Sequence, residues 1–138
     1  MLNIQVMWKK TQYKDKNPNA LYHYGCLILN GKIKTSNDYK DAFEIIYKLS
    51  LDNNILAQFK LGLCNGLGQR TKKDIKDAFK WYRKAAEQGD CDAQYYLSKP
   101  YLKGAGTDVD ENKAKYWLIK AHENGHKNAQ TVLDSLFK

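Results

Sequence analysis

Apolar and small residues recur at helical spacing along most of the chain. In the segment "DIKDAFKWYRKAAEQG", which begins at Asp74, they fall at Ile75, Ala78, Phe79, Tyr82, Ala85 and Ala86. This spacing places them in one stripe along a helix. Asp74 stands where an N-cap is expected, and Gly89 stands where the left-handed residue after a helix is expected. The pattern therefore predicts an amphipathic helix between these two residues.

The same pattern returns every 36 residues. The pair "AQ" begins at Ala57, Ala93 and Ala129, and a weaker copy, "ALYHYG", begins at Ala20, 37 residues before Ala57 because one residue is inserted. Each copy contains two helical segments, of which the first is short and rich in small residues. A fixed period of this length is the signature of helical repeat proteins.

A single pair of such helices cannot bury its apolar stripe, so neighbouring units have to stack on one another. We therefore expect an all-α fold, a right-handed superhelix or solenoid of about eight helices in antiparallel pairs. The parts expected of this one domain are a half-repeat or cap over 1–19, a degenerate repeat over 20–56, repeats over 57–92 and 93–128, and a half-repeat cap over 129–138.

Two segments fit this scheme less simply. The stretch "LNIQVMW" has the partial alternation of a strand, but Trp8 lies as far before Ala20 as Trp81 lies before Ala93, which favours a helix. Pro100 falls inside a predicted helix, where it removes one amide donor and clashes with the preceding turn. We expect a kink or an early end of that helix near Ser98.

The repeat resembles the Sel1-like repeat, a relative of the tetratricopeptide repeat. The residues that carry the resemblance follow the family pattern in order: Ala93, Leu97, Tyr101, Gly104, Gly106, Asp110, Ala114, Trp117, Ala121 and Gly125. The departures are Ser98 in place of a glycine, Arg70 and Ile33 in place of the second glycine of GxG, and Ile45 in place of the tryptophan. The resemblance implies adaptor or scaffold work that assembles protein complexes.

Composition limits the cellular compartments and the kinds of partner that we expect for this chain. The formal charge of +8 is spread over the whole chain, so there is no separate basic tail. Three cysteines are an odd number at unrelated spacings, which favours reduced thiols over a disulfide framework. We therefore expect a cytoplasmic location. No apolar run is long enough for a membrane span, and we expect no membrane partner.

The string "HENGH", residues 122–126, reads as the HExxH motif of zinc proteases. That motif needs both histidines on one continuous helix. In the repeat frame Gly125 aligns with Gly89, so we expect the helix to end before His126. We therefore predict no metal, no cofactor and no catalytic residue, and we rank a metal-dependent hydrolase last among the functions considered.

A partner-binding groove is expected along the first helices of the units. The third position after the leading alanine differs in every copy, although the frame around it is constant. We predict groove residues at His23, Lys60 and Tyr96, with the neighbouring Lys99. Stacked hairpins of this kind bind extended peptides or partner helices on their concave wall. The leading function is thus a non-enzymatic adaptor with a protein or peptide partner.

A basic patch is the basis of the alternative function. Lys76, Lys80, Arg83 and Lys84 share the helix face away from the apolar stripe. Such a face is usually only solvated, but it could also dock nucleic acid or an acidic surface. Trp81 and Trp117 recur at the repeat period, so we expect them to pack in the core or between units.

Overall fold

The computed structural model describes residues 17–33, 38–68 and 72–137, and every regular element within them is an α-helix. The seven helices of these residues are α1 (Pro18–Leu29), α2 (Asp38–Leu51), α3 (Ile55–Leu67), α4 (Ile75–Glu87), α5 (Cys91–Lys103), α6 (Glu111–Glu123) and α7 (Ala129–Leu136). The predicted all-α class is confirmed. The expected N-terminal half-repeat, with "LNIQVMW" and Trp8, lies outside the described residues except for its last three positions.

The chain forms two compact units, Met1–Ala57 and Gln58–Lys138, and the division falls near the start of α3. In the first unit α1 packs against α2. A Cβ added to Gly25 would lie 3.1 Å from Ile46 Cδ1, so the two helices are in close contact there. Leu21, Ile28 and Ile45 are buried beside this contact.

In the second unit α4 packs on α5, α5 on α6, and α6 on α7. Helix α3 meets α4 at Gly62, where an added Cβ would lie only 2.7 Å from the ring of Tyr82. The two helices therefore approach each other closely at Gly62. At the C-terminal end Leu118, Ala121 and Ala129 form a buried cluster.

The helix boundaries follow the repeated capping residues. The side chain of Asp74 accepts a hydrogen bond from the Asp77 amide at 3.0 Å, and Asp110 accepts from the Lys113 amide at 3.0 Å. Such N-caps satisfy amides that have no partner within the helix. After α4 the chain turns at Gly89, whose φ is 97°, as predicted from the sequence.

One of the two expected effects of Pro100 is absent. Helix α5 runs through Pro100 to Lys103, so the predicted early end is wrong, and a kink near Ser98 stays a prediction. Leu97 and Tyr101, on either side of the proline, are buried against neighbouring helices, and this packing holds the helix on both sides of the missing donor. The helix ends at Gly104, which has a left-handed φ of 70° and donates its amide to Pro100 O at 2.7 Å.

The two repeated tryptophans differ in burial. Trp81 is 2% exposed, and its indole nitrogen donates to Asp77 Oδ2 at 3.2 Å, which confirms its predicted place in the core. Trp117 is half-buried and packs edge to face on Tyr116 with ring centroids 5.1 Å apart. The position that corresponds to Asp77 holds Lys113, which has no acceptor to offer an indole.

Candidate functional site

A cleft opens in the second unit where the end of α3, the start of α4 and the end of α5 meet. Its volume is about 260 Å³. The floor is apolar and aromatic, with Phe79 and Tyr82 from α4 and Tyr96 and Pro100 from α5. Gly66 of α3 lines the cleft and lies close against α4: a Cβ there would lie 2.9 Å from the Tyr82 hydroxyl.

The aromatic floor is held by contacts between rings. Tyr96 lies edge to face on Phe59 at 5.4 Å and 5.7 Å from Tyr82, measured between ring centroids. Phe79 packs edge to face on Tyr101, also at 5.4 Å. Burial, followed by the proximity of Tyr96, raises the pKa of the Tyr82 hydroxyl well above its ordinary value. The floor is therefore uncharged and preorganised.

Three lysines surround this floor. Lys73, Lys99 and Lys103 line the cleft, and all three are exposed. The Lys99 ammonium lies 4.5 Å from the ring centroid of Tyr96 and 5.0 Å from that of Tyr95, within the range of cation–π contacts. The described lining contains no acidic side chain. The cleft thus combines an apolar floor with a positive rim.

The predicted groove residues fall in different places. Tyr96 and Lys99 lie together in the cleft. Lys60 is half-buried on α3 and is not part of the described lining. His23 is exposed in the first unit, with its ring 5.8 Å from that of Tyr22.

Several residues of the cleft lie outside the groove predicted from the sequence. Phe79 and Tyr82 belong to the predicted apolar stripe, and Lys73 and Lys103 are not among the predicted groove residues. The available signal was the change of residue type at these positions from one repeat to the next. One period later, Lys73 is replaced by Val109 and Phe79 by Lys115.

The basic patch lies on the exposed face of α4. Lys76, Lys80, Arg83 and Lys84 are all exposed. The ammonium groups of Lys80 and Lys84 lie 5.6 and 5.0 Å from the ring centroid of Trp81. Arg83 Nε donates to Glu87 Oε1 at 3.0 Å, so the charge of Arg83 is partly compensated. A shallow hollow of about 310 Å³ lies beside Phe79 on this face.

The "HENGH" segment is split by the end of a helix. Helix α6 stops at Glu123, and Gly125 turns the chain with a φ of 97°, as predicted. His126 lies beyond the turn, stacked on Tyr95 with ring centroids 4.1 Å apart. Its Nδ1 accepts the Asn128 amide at 3.2 Å. Among the described residues, no three His, Cys, Asp or Glu side chains are grouped to hold a metal ion.

The three cysteines differ in burial. Cys26, Cys64 and Cys91 are free thiols, of which Cys64 is buried and the other two are half-buried. Burial raises the pKa of the Cys91 thiol.

Within the part of the chain described, no helix combines the length and the apolar composition needed to cross a bilayer.

Comparison with known proteins gives one family. The family model described as the Sel1 repeat matches residues 18–50, 55–90 and 91–126. A comparison with curated proteins gives no match.

Several solved structures share the fold. A Sel1 repeat protein from Oxalobacter formigenes is 28% identical with a TM-score of 0.81, and the alignment covers 93% of this chain and 54% of that one. The protein c5321, a protective antigen present in uropathogenic Escherichia coli strains and displaying an SLR fold, is 29% identical with a TM-score of 0.83, covering 95% of this chain and 28% of that one. Helicobacter pylori cysteine rich protein B is 22% identical with a TM-score of 0.66, and the alignment covers 86% of this chain and 98% of that one. At this identity the likeness is one of fold alone. The chain thus has the helical solenoid fold and spans 54% and 28% of the first two proteins.

Proposed function

Because this chain belongs to the Sel1 repeat family, we propose that it is a non-enzymatic adaptor or scaffold that binds a peptide or a partner helix. Members of this family are commonly protein–protein interaction scaffolds. The proposed binding surface in the second unit is the face of its first helices, with Tyr96 and Lys99 at its centre and Lys60 as a further contact. His23 is the equivalent proposed contact in the first unit. The three free thiols support a reducing, cytoplasmic location.

The observation that carries this proposal is the cleft at Tyr96 and Lys99. Apolar clefts with a few polar groups at the rim are the usual form of a binding site. Side chains that anchor partners in such sites are mostly aromatic residues and arginine, buried in well-packed pockets. The aromatic floor is fixed by ring contacts, so little entropy is lost when a partner docks.

The second candidate function is a basic docking module for nucleic acid or an acidic surface. It is favoured by the shared exposed face of Lys76, Lys80, Arg83 and Lys84. Among the four cations of this face, Arg83 is paired with Glu87, which partly compensates its charge. We therefore rank it second. A metal-dependent hydrolase stays last because the turn at Gly125 separates the two histidines.

Selection of peptides from a random display library on the purified chain tests the proposal. The selected peptides are then titrated against the double variant Tyr96→Ala with Lys99→Ala. We expect the affinity to fall about tenfold or more, since an anchor contact is removed. Single variants of Lys60 and of His23 test each of these two proposed contacts by itself.

A matched control is available on α6. Lys120 lies 5.8 Å from the ring of the exposed Tyr116, so Tyr116→Ala with Lys120→Ala removes a similar pair outside the cleft. This control should leave the affinity within about twofold, as expected for exposed residues away from the interface. Failure to select any peptide, or equal losses in the two double variants, would contradict the proposed function.

A further inference from the structure

We infer that the cleft between α3, α4 and α5 takes one bulky apolar side chain of a peptide whose neighbouring residues are acidic. This inference rests on the proposed function and specifies the chemistry of the partner. The apolar side chain would occupy the cleft that Gly66, Phe79 and Tyr96 line. The flanking carboxylates would pair with the rim lysines.

The size of the cleft favours a side chain over a small molecule. Its volume of about 260 Å³ is below the range of about 300–1,000 Å³ that is usual for small-molecule pockets. The floor consists of ring faces, ring edges and Pro100, which offer dispersion contacts to an apolar group. The Tyr82 hydroxyl stays protonated, because burial raises its pKa.

The rim supplies the preference for acidic residues. Lys73, Lys99 and Lys103 bring three positive charges to one opening, and the described lining has no carboxylate to neutralise them. The Lys99 ammonium is positioned above Tyr96, beside the floor, by its cation–π contact. Opposite charges across an interface speed association and select the partner.

The cleft belongs to this one position in the repeat array. One period earlier in the sequence, Lys99 and Lys103 correspond to Leu63 and Leu67. One period later, Gly66 and Phe79 correspond to Leu102 and Lys115, so the same lining does not recur there. The repeated packing of the helices therefore requires neither the cleft nor its positive rim. This favours a specific ligand contact over packing as the reason for these residues.

Fluorescence anisotropy with three labelled synthetic peptides tests the inference. The peptides share one central Phe and differ only in their flanking residues, which are Glu, Gln or Lys. We expect the Glu-flanked peptide to bind about tenfold more tightly than the Gln-flanked peptide, and to lose this advantage as salt screens the rim. The Lys-flanked peptide should bind most weakly.

Charge reversal at the rim gives the decisive comparison. In the variant Lys73→Glu with Lys103→Glu, the Glu-flanked peptide should lose about tenfold in affinity and the Lys-flanked peptide should gain. Both lysines are exposed, so the fold should be unaffected. The variant Lys76→Glu with Lys80→Glu makes the same change in net charge on the other face of α4 and should leave the affinity within about twofold.

Failures of the inference and of the proposed function can be told apart. Equal binding of the Glu-flanked and Gln-flanked peptides, or an equal loss in the two charge-reversal variants, would overturn the acidic preference. The proposed function would still hold if the display-selected peptides lose affinity in the Tyr96→Ala, Lys99→Ala variant. Binding of none of the three peptides, together with display-selected peptides that carry no acidic residues, would also overturn the inference.

Discussion

The side-chain amide of Asn124 donates to Gln94 Oε1 at 3.0 Å, and one period earlier Gln88 donates to Gln58 Oε1 at 2.7 Å. Each bond joins the end of the second helix of a repeat to the start of the first helix of the same repeat. Gln58 and Gln94 are 2% and 3% exposed, so both are buried polar groups with partners. Gln94 Nε2 also donates to the carbonyl oxygen of Ala86 at 3.1 Å, at the end of the preceding α4. Gln58 and Gln94 thus each join the two helices of their own hairpin, and Gln94 also bonds to the hairpin before it.

Replacement of Gln94 by Leu should lower the free energy of unfolding by about 1–3 kcal/mol, because it keeps the volume and removes two buried hydrogen bonds. Gln130 holds the same place in the repeat, but it is exposed and bonds only within its own helix, to Asp134. Gln130→Leu should therefore change stability by less than about 0.5 kcal/mol. Urea unfolding of both variants measures the difference, and equal effects would show that the bonds of Gln94 contribute nothing.

Replacement of Gly62 by Ala should destabilise the chain by about 1–3 kcal/mol, because the new Cβ would meet the Tyr82 ring at 2.7 Å. That ring is held between Phe59 and Tyr96 and has little freedom to move. In a Tyr82→Leu background the same change should instead stabilise by up to about 1 kcal/mol, since Ala favours a helix over Gly. Thermal unfolding of the four proteins of this cycle checks the change of sign, and a loss of the same size in both backgrounds would contradict the steric account.

The repeat itself explains why Ser98 is tolerated where Gly62 is required. One period after Tyr82 the chain has Leu118, so the position opposite Ser98 carries a smaller side chain without a ring. The Ser98 hydroxyl donates to the Tyr95 carbonyl oxygen at 2.6 Å, which satisfies its polar group within the helix. The change from Gly62 to Ser98 and the change from Tyr82 to Leu118, one period later, are therefore complementary.

The sequence predicted the features that recur in every unit. The caps Asp74 and Asp110 and the turns at Gly89 and Gly125 repeat at one period, and each acts through its own short stretch of backbone. Local chemistry of this kind can be derived from residue type and spacing.

The cleft could not be derived in this way. It is lined by residues of α3, α4 and α5, so it arises only when these three helices are packed. The course of α5 through Pro100 was missed for a similar reason, because local propensity predicts a break whereas the burial of Leu97 and Tyr101 continues the helix.

Replacement of Asp90 by Asn should stabilise the chain at neutral pH and not in acid. Burial raises the pKa of the Asp90 carboxyl above its ordinary value of 3.8, and the Ala93 amide bond opposes this only in part. Ionised Asp90 therefore costs stability above its folded pKa, and the cost disappears as the pH falls toward 3.8. Asn is an equally good N-cap for α5. Urea unfolding at several pH values should show the advantage of the variant shrinking with acid, and an advantage that grows with acid would contradict this sign.

The basic patch should not support specific binding of nucleic acid. Any binding of duplex or single-stranded DNA at low salt should fall steeply as salt is raised, as expected of purely electrostatic contacts. Anisotropy titrations at several salt concentrations measure this dependence. Tight binding that persists at physiological salt and is lost in Lys76→Glu with Lys80→Glu would instead promote the second candidate function.

Purified protein should contain far less than one zinc ion per chain, because His122 and His126 are separated by the turn at Gly125. Elemental analysis after dialysis against zinc, without chelator, measures the ratio. One tightly bound zinc ion per chain that is lost in the variant His126→Ala would instead support a metal-dependent hydrolase.

The most direct test of the binding cleft is an NMR titration of the labelled chain with the Glu-flanked peptide. The account predicts that the amide signals of Leu67, Ala78 and Lys99 shift together with one dissociation constant, since these residues lie around one opening. Shifts confined to Lys76, Lys80 and Lys84, on the exposed face of α4, would contradict it.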